Sequence, residues 1–283
     1  MKIGAMVESF RLGVEGGLKA AAELGVDGVQ IYATGGEMHP DNLKAAGRQQ
    51  LRAKLAGLKL ELAALCGDFG GHGFQVEAEN GKRIADSKKV VDLAVDMGCR
   101  VVTTHIGVVP AQASHPRYAI MAKACAELGE YAAKRGVTFA IETGPEPATA
   151  LKAFLDKIGL PKGMGVNFDP ANLVMVCREN IPEAVKKLAP YIVHTHAKDG
   201  VNLKPVDPEM LYGVFAGDAH PGFKWDECIR EVPLGEGGVN FPTYLKALGK
   251  AGFDGYLTIE REGGQDPAKN IRDAVEFLRR LLR

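Results

Sequence analysis

Eight short apolar runs recur along the chain, rich in Val, Ile, Leu and Ala: KIGAMVES (2–9), GVQIYA (28–33), LELAAL (60–65), RVVTTHIG (100–107), VTFAIET (137–143), MGVNFD (164–169), YIVHTHAKD (191–199) and GYLTIERE (255–262). Near-continuous apolarity over so few residues marks strands buried on both faces, as in a parallel sheet. Between them lie GLKAAAELG, GKRIADSKKVVDLAVDMG, YAIMAKACAELGEYAAKRG and FPTYLKALGKAG, which repeat apolar residues at i, i+3 and i+4 and often end at glycine. Strand and helix alternating eight times predict an α/β chain closed into a (β/α)₈ TIM barrel. A doubly wound open sheet shares the local pattern, but it favours fewer strands and a glycine-rich nucleotide loop after the first. No G-x-G-x-x-G, G-x-x-x-x-G-K-[ST] or G-x-S-x-G motif occurs.

One barrel needs about 250 residues, so the 283 residues are expected to form a single domain, 1–283. Residues 200–237, after the seventh run, exceed an ordinary connection and carry four prolines, six glycines and the one tryptophan, Trp225. This long, irregular loop is expected over the C-terminal mouth as a lid or a contact in a homo-oligomer, with a plain insertion as the alternative. Lys plus Arg and Asp plus Glu number 35 each, for a formal net charge of zero, so no bulk field draws the chain to polyanions and no nucleic-acid partner is expected. No apolar run reaches the roughly 20 residues of a membrane span, and Glu8 interrupts the N-terminal segment. A cytoplasmic protein with no membrane partner is therefore expected. The five cysteines are odd in number and scattered, which suggests inert thiols rather than disulfides or a zinc ribbon.

In a barrel, side chains at the C-terminal strand ends converge on the axis, so polar residues there inform about chemistry. The fifth run ends in AIE with Glu142, the sixth in NFD with Asp169, the seventh in HTH with His196 and the eighth in TIE with Glu260. Glu142, Asp169 and His196 follow one another at equal intervals of one strand-helix unit. Three carboxylates and one imidazole make a hard donor set suited to one divalent ion, Mn²⁺ foremost, with Mg²⁺, Co²⁺ or Zn²⁺ as alternatives. His194 and His196 point to the same side of their strand; His196, nearer the C-terminal end, is expected at the metal level and His194 one layer lower.

IET (141–143), NFDPANL (167–173), VHTHAKD (193–199), PLGEGGVNF (233–241) and GYLTIERE (255–262) together resemble the xylose-isomerase-like superfamily of sugar isomerases and epimerases, across nearly the whole chain. The resemblance implies that Glu142, Asp169, His196 and Glu260 are metal ligands and that Glu142 and Glu260 are also the catalytic acid/base pair. It implies a metal-dependent sugar isomerase or epimerase, with a small carbohydrate as partner, working through a metal-stabilised enediolate. A dehydratase or lyase acting on a keto-inositol or oxidised sugar is the alternative. An endonuclease-IV-like nuclease and a non-catalytic sugar-binding protein are disfavoured, the first by zero net charge and too few extra histidines, the second by the paired glutamates. The chain departs from many sugar epimerases of the family at Asn172, where they have histidine, and at Lys198 and Lys204, where tagatose-type epimerases place an arginine nearby. No phosphate cradle is visible, which favours a free sugar or keto-polyol.

Asn172 and Lys198 are thus candidate substrate contacts, Lys198 having a pair with Asp199 as its alternative. His105 near the end of the fourth run, His72 after the third, Glu8 at the end of the first, Tyr32 at the end of the second and Glu236 in LGEGG are further candidates for the pocket wall. Trp225 and Phe223 could form a platform for a sugar ring or simply pack the loop.

Overall fold

A computed structural model describes residues 1–159 and 163–283. Its strands are β1 (Lys2–Met6), β2 (Gly28–Tyr32), β3 (Glu61–Cys66), β4 (Val101–Thr104), β5 (Thr138–Glu142), β6 (Met164–Phe168), β7 (Ile192–Ala197), β8 (Asp199–Asn202), β9 (Ile229–Val232) and β10 (Tyr256–Ile259). All except β8 and β9 close into a parallel barrel in the order β1-β10-β7-β6-β5-β4-β3-β2. Each expected strand therefore exists, most of them trimmed by one to four residues, while β3 is shifted one residue on, to Glu61–Cys66.

The helices are α1 (Gly13–Leu24), α2 (Ala45–Gly57), α3 (Glu77–Met97), α4 (Pro116–Ala133), α5 (Ala148–Ile158), the short turn α6 (Pro170–Asn172), α7 (Ile181–Leu188), α8 (Pro208–Ala216), α9 (Phe241–Lys250) and α10 (Pro267–Leu281). Apart from α6 and α8 they form the outer ring. α10 shows why: Ile271, Ala274, Val275 and Leu278 fall on one face and are buried, while its remaining face is charged. Asp266 accepts a hydrogen bond from Lys269 N at the start of α10, and Asn240 does the same for Thr243 N at the start of α9. Gly98, at φ 74°, ends α3 in the left-handed conformation that lets the chain turn into β4. The core is a sleeve between strands and helices in which Phe139, Phe154, Phe168, Leu93 and Leu128 are fully buried.

The stretch after β7 differs from the irregular loop expected from its prolines and glycines. The seventh run does not continue as one strand to residue 199. It breaks at Lys198, and β8 pairs antiparallel with β9 in a separate ribbon, Asp199 opposite Val232. Between them, α8 starts where the Asp207 side chain accepts from Glu209 N and Pro208 occupies the first turn, where proline is favoured. The insertion lies over the loops after β3 and β4, tied to them by Arg117 to Glu209 and by His72 to Asp218.

Candidate metal centre

Glu142 ends β5, Asp169 follows β6, His196 lies in β7 and Glu260 follows β10. These strands form the continuous arc β10-β7-β6-β5, which brings the four side chains to one point at the barrel mouth. One ligand atom from each lies within 4.8 Å of every other. His196 Nδ1 stands 3.1 Å from Glu260 Oε2, 3.4 Å from Asp169 Oδ2 and 3.6 Å from Glu142 Oε1. Asp169 and His196 are 0% exposed, and Glu142 and Glu260 are 7% and 5% exposed.

Local backbone explains the placement of Asp169. Its Oδ1 accepts from Ala171 N and Asn172 N at 2.7 and 3.0 Å, capping α6, which leaves Oδ2 aimed into the cluster. The Thr143 hydroxyl accepts from Asp169 N and donates to Asp169 O, both at 2.8 Å, clamping the strand end. Beyond α6 the chain makes a π-helical turn, Leu173–Cys177, an irregularity frequent at functional sites.

Asp169 Oδ2 and His196 Nδ1 are both buried without a hydrogen-bond partner. Burying such groups costs on the order of 1 to 3 kcal/mol each when nothing binds them. Three carboxylates around an imidazole nitrogen are the donors a hard divalent cation takes, so the residues present fit one.

Neighbouring cations hold Glu260 in charged form. Lys198 Nζ donates to Glu260 Oε2 at 3.0 Å and lies 3.6 Å from Glu262 Oε1. Burial alone would raise the Glu260 carboxyl, but Lys198 and His196 together bring it well below the usual carboxylate range. Lys198 does not pair with Asp199. The Asp199 carboxylate accepts instead from the backbone N–H groups of Gly200, Gly235, Gly237 and Val239 at 2.9 to 3.0 Å, because the chain turns into the ribbon at that residue.

Asn172 turns onto the cluster, donating to Glu142 Oε1 at 3.1 Å and to Thr143 O at 3.2 Å. His105, just past β4, places Nδ1 2.9 Å from Asp68 Oδ2 and Nε2 3.5 Å from Glu142 Oε1. Burial opposes its charge, yet Glu142 and Asp68 outweigh burial and raise it to about 10. The Cys66 side chain, burial and the carboxylates of Glu260, Glu142 and Asp68 push the Tyr32 phenol up. Glu8 Oε1 accepts from Tyr32 N at 3.1 Å, while Oε2 is buried without a partner.

Other expected pocket residues lie outside the four-residue cluster. His72 Nε2 is 3.1 Å from Asp218 Oδ1 of the insertion, fastening it rather than joining the cluster. Trp225 packs at 5.4 Å from Phe215, and both rings are exposed on the insertion. Phe223 packs partly buried against the core, and Glu236 is exposed in the turn that supplies backbone N–H groups to Asp199. The LGEGG motif is thus an anchor for the ribbon. A Cβ at Gly237 would come within 2.2 Å of Asp199 Oδ1.

Sequence reasoning missed Gln30 and Asn167, both 0% exposed. Gln30 Oε1 lies 2.9 Å from His194 Nε2 and 3.2 Å from His196 Nε2, and its amide donates to Thr103 Oγ1 at 3.1 Å. Asn167 Nδ2 donates to Glu142 Oε2 at 3.0 Å and lies 3.1 Å from His196 Nε2. A single polar residue inside a strand buried on both faces was the available signal, since such a group must find partners in the barrel interior. His194, one layer below His196, also contacts Thr258 Oγ1 at 2.9 Å; burial and the neighbouring His196 push its pKa down to about 3.

A closed parallel barrel with a buried carboxylate and histidine cluster at its C-terminal mouth defines a TIM barrel with a candidate metal centre. Residues 18–281 match the model of the xylose isomerase-like TIM barrel family, and the chain belongs to that family. A xylose isomerase domain protein from Planctomyces limnophilus is 31% identical, with a TM-score of 0.81 over 99% of this chain and 96% of that one. A D-tagatose 3-epimerase-like protein has a TM-score of 0.75 at 20% identity, over 100% of this chain and 98% of its own. The rhizopine catabolism protein MocC of Rhizobium meliloti is 32% identical over 128 residues, 45% of this chain and 34% of that protein, so the match spans about a third of this relative. The same fold, at 19% identity and a TM-score of 0.72, occurs in a probable 3-DHS dehydratase from Bacillus anthracis and a Mycobacterium smegmatis protein in complex with magnesium; each match covers 99% of this chain and 96 to 99% of the other.

Proposed function

We propose that this protein is a divalent-metal-dependent isomerase or epimerase acting on a free sugar or keto-polyol. In this reading Glu142, Asp169, His196 and Glu260 hold the cation, manganese ahead of magnesium, cobalt or zinc, and Glu142 and Glu260 transfer the protons. The observation that carries it is the convergence of four ligand atoms within 4.8 Å, two of them buried and unpartnered.

The bound cation supplies Lewis-acid stabilisation of the negative charge that develops on the substrate's carbonyl oxygen as the α proton leaves. Glu260, kept as a carboxylate by Lys198, is the group to remove that proton. Glu142 reaches the site from the other end of the four-strand arc, oriented by the amides of Asn167 and Asn172; it takes a proton from His105, 3.5 Å away, and passes it to the enediolate, while Glu260 later releases its proton to water. Return on the opposite face of the same carbon inverts the centre, whereas return at the neighbouring carbon moves the carbonyl. In this reading His105, Tyr32 and Glu8, which end or follow barrel strands, are the groups to bind substrate hydroxyls. The relative described as D-tagatose 3-epimerase-like is in keeping with this chemistry.

Elimination by the same site is the second reading. It is favoured by His105, which stays protonated between Asp68 and Glu142 and can give a proton to a departing hydroxyl, and by the relative described as a probable dehydratase.

The test is solvent exchange. The Mn²⁺-loaded protein is incubated in deuterated water with a panel of ketoses and inososes and followed by NMR. Deuterium is expected at the carbon α to the carbonyl of at least one compound, and Glu260→Gln should lower the rate by on the order of a thousandfold. Exchange in no compound would reject the isomerase reading, and water loss to an enone would select elimination.

A further inference from the structure

Two neighbours make opposite demands on His196 Nε2. Gln30 Oε1, 3.2 Å away, is an acceptor and asks for a proton there; Asn167 Nδ2, 3.1 Å away, is a donor and asks for a bare nitrogen. In the neutral ring that a cation takes, the choice fixes the other ring nitrogen, because a neutral imidazole carries one proton. If Asn167 prevails, Nδ1 is protonated and cannot bind a cation. If Gln30 prevails, Nδ1 is free, and Nδ1 is the atom that faces Glu142, Asp169 and Glu260 at 3.6, 3.4 and 3.1 Å.

We infer that Gln30 is a positioning residue for the metal centre, its side-chain carbonyl holding His196 with the proton on Nε2 so that Nδ1 is left to the cation. The inference rests on the metal-binding reading above. Three observations support it. The Gln30 amide nitrogen is already engaged with Thr103 Oγ1 at 3.1 Å, which fixes the carboxamide with its oxygen towards the histidines. That oxygen has two lone pairs and meets two ring nitrogens, His194 Nε2 at 2.9 Å and His196 Nε2 at 3.2 Å, so one carbonyl satisfies both imidazoles. Asn167 loses little, since its amide donates to Glu142 Oε2 at 3.0 Å whatever His196 does. Gln30 comes from β2, outside the arc that supplies the four candidate ligands, and is 0% exposed, so no water replaces it. A carbonyl partner on the far ring nitrogen is how metal-bound histidines are commonly oriented, and its loss typically weakens binding 10- to 100-fold.

The experiment combines ¹⁵N-histidine NMR of the metal-free and Zn²⁺-saturated protein with Mn²⁺ titration calorimetry of the wild type, Gln30→Leu and Gln30→Glu. A proton on His196 Nε2 is expected in both wild-type states, with the Nδ1 resonance moving on Zn²⁺ addition. Gln30→Leu should bind Mn²⁺ about 10- to 100-fold more weakly, whereas Gln30→Glu, which keeps an acceptor oxygen in place, should stay within about tenfold of the wild type. A bare Nε2 in the wild-type spectra overturns the inference whether or not Gln30→Leu folds, as does a folded Gln30→Leu with wild-type affinity. A wild type that takes up no cation would instead overturn the metal-binding reading, with the Nε2 proton still deciding the Gln30 contact.

Discussion

Glu146, in the loop after β5, is 3% exposed, and its Oε2 accepts from Val109 N at 3.2 Å. Burial raises its carboxyl from 4.5 to about 7, with the backbone hydrogen bonds and His105 only partly opposing. The folded state therefore keeps this proton at a pH where the unfolded chain has lost it. Stability from that proton is complete below pH 4.5 and declines as pH rises through about 7, by at most about 3 kcal/mol at 1.36 kcal/mol per pH unit. Gln can accept from Val109 N without ionising. Glu146→Gln should accordingly unfold at a higher temperature than the wild type at pH 8 to 9 and at nearly the same temperature near pH 4, as thermal denaturation followed by circular dichroism would record. A constant difference across that range would mean that Glu146 does not ionise on unfolding.

Among the elements, the ribbon β8-β9 and helix α8 depend on one side chain at their base. Asp199 is 1% exposed and gathers four backbone N–H groups that would otherwise lack partners. Removing the carboxylate strands those four donors at about 1 kcal/mol or more each, so Asp199→Ala is expected to cost about 4 kcal/mol or more. Hydrogen exchange should quicken through residues 199–237 and much less in the barrel strands; uniform quickening would show that Asp199 supports the barrel rather than the insertion. The sequence made the barrel legible because each strand is apolar throughout and each helix carries a stripe. It located Glu142, Asp169, His196 and Glu260 because strand ends are visible in a linear pattern. The ribbon was not legible: β8 finds its partner 30 residues away, across prolines and glycines that hide α8. Gln30, Asn167 and Asp68 were missed for a related reason, since closure of the barrel, not spacing along the chain, sets their contacts.

For the molecule as a whole, the cluster is a local cost. Three carboxylates crowd one imidazole in a nearly closed space, with Asp169 Oδ2 and His196 Nδ1 unpartnered, so the metal-free protein carries unmet polar atoms. A cation that binds only the folded state returns that energy. At a concentration one hundred times its dissociation constant it stabilises by about 2.7 kcal/mol, which at about 2 °C per kcal/mol or more for a chain of this size raises the melting temperature by roughly 5 °C. Mn²⁺ added to chelator-treated protein should give such a rise. In Asp169→Asn the amide oxygen can still cap α6, but one negative charge is gone. This variant should melt at or above the metal-free wild type and respond to Mn²⁺ by less than about half as much. An undiminished response in Asp169→Asn would place the cation elsewhere in the protein, and a fall in its metal-free melting temperature would show that the cluster stabilises the barrel without a cation.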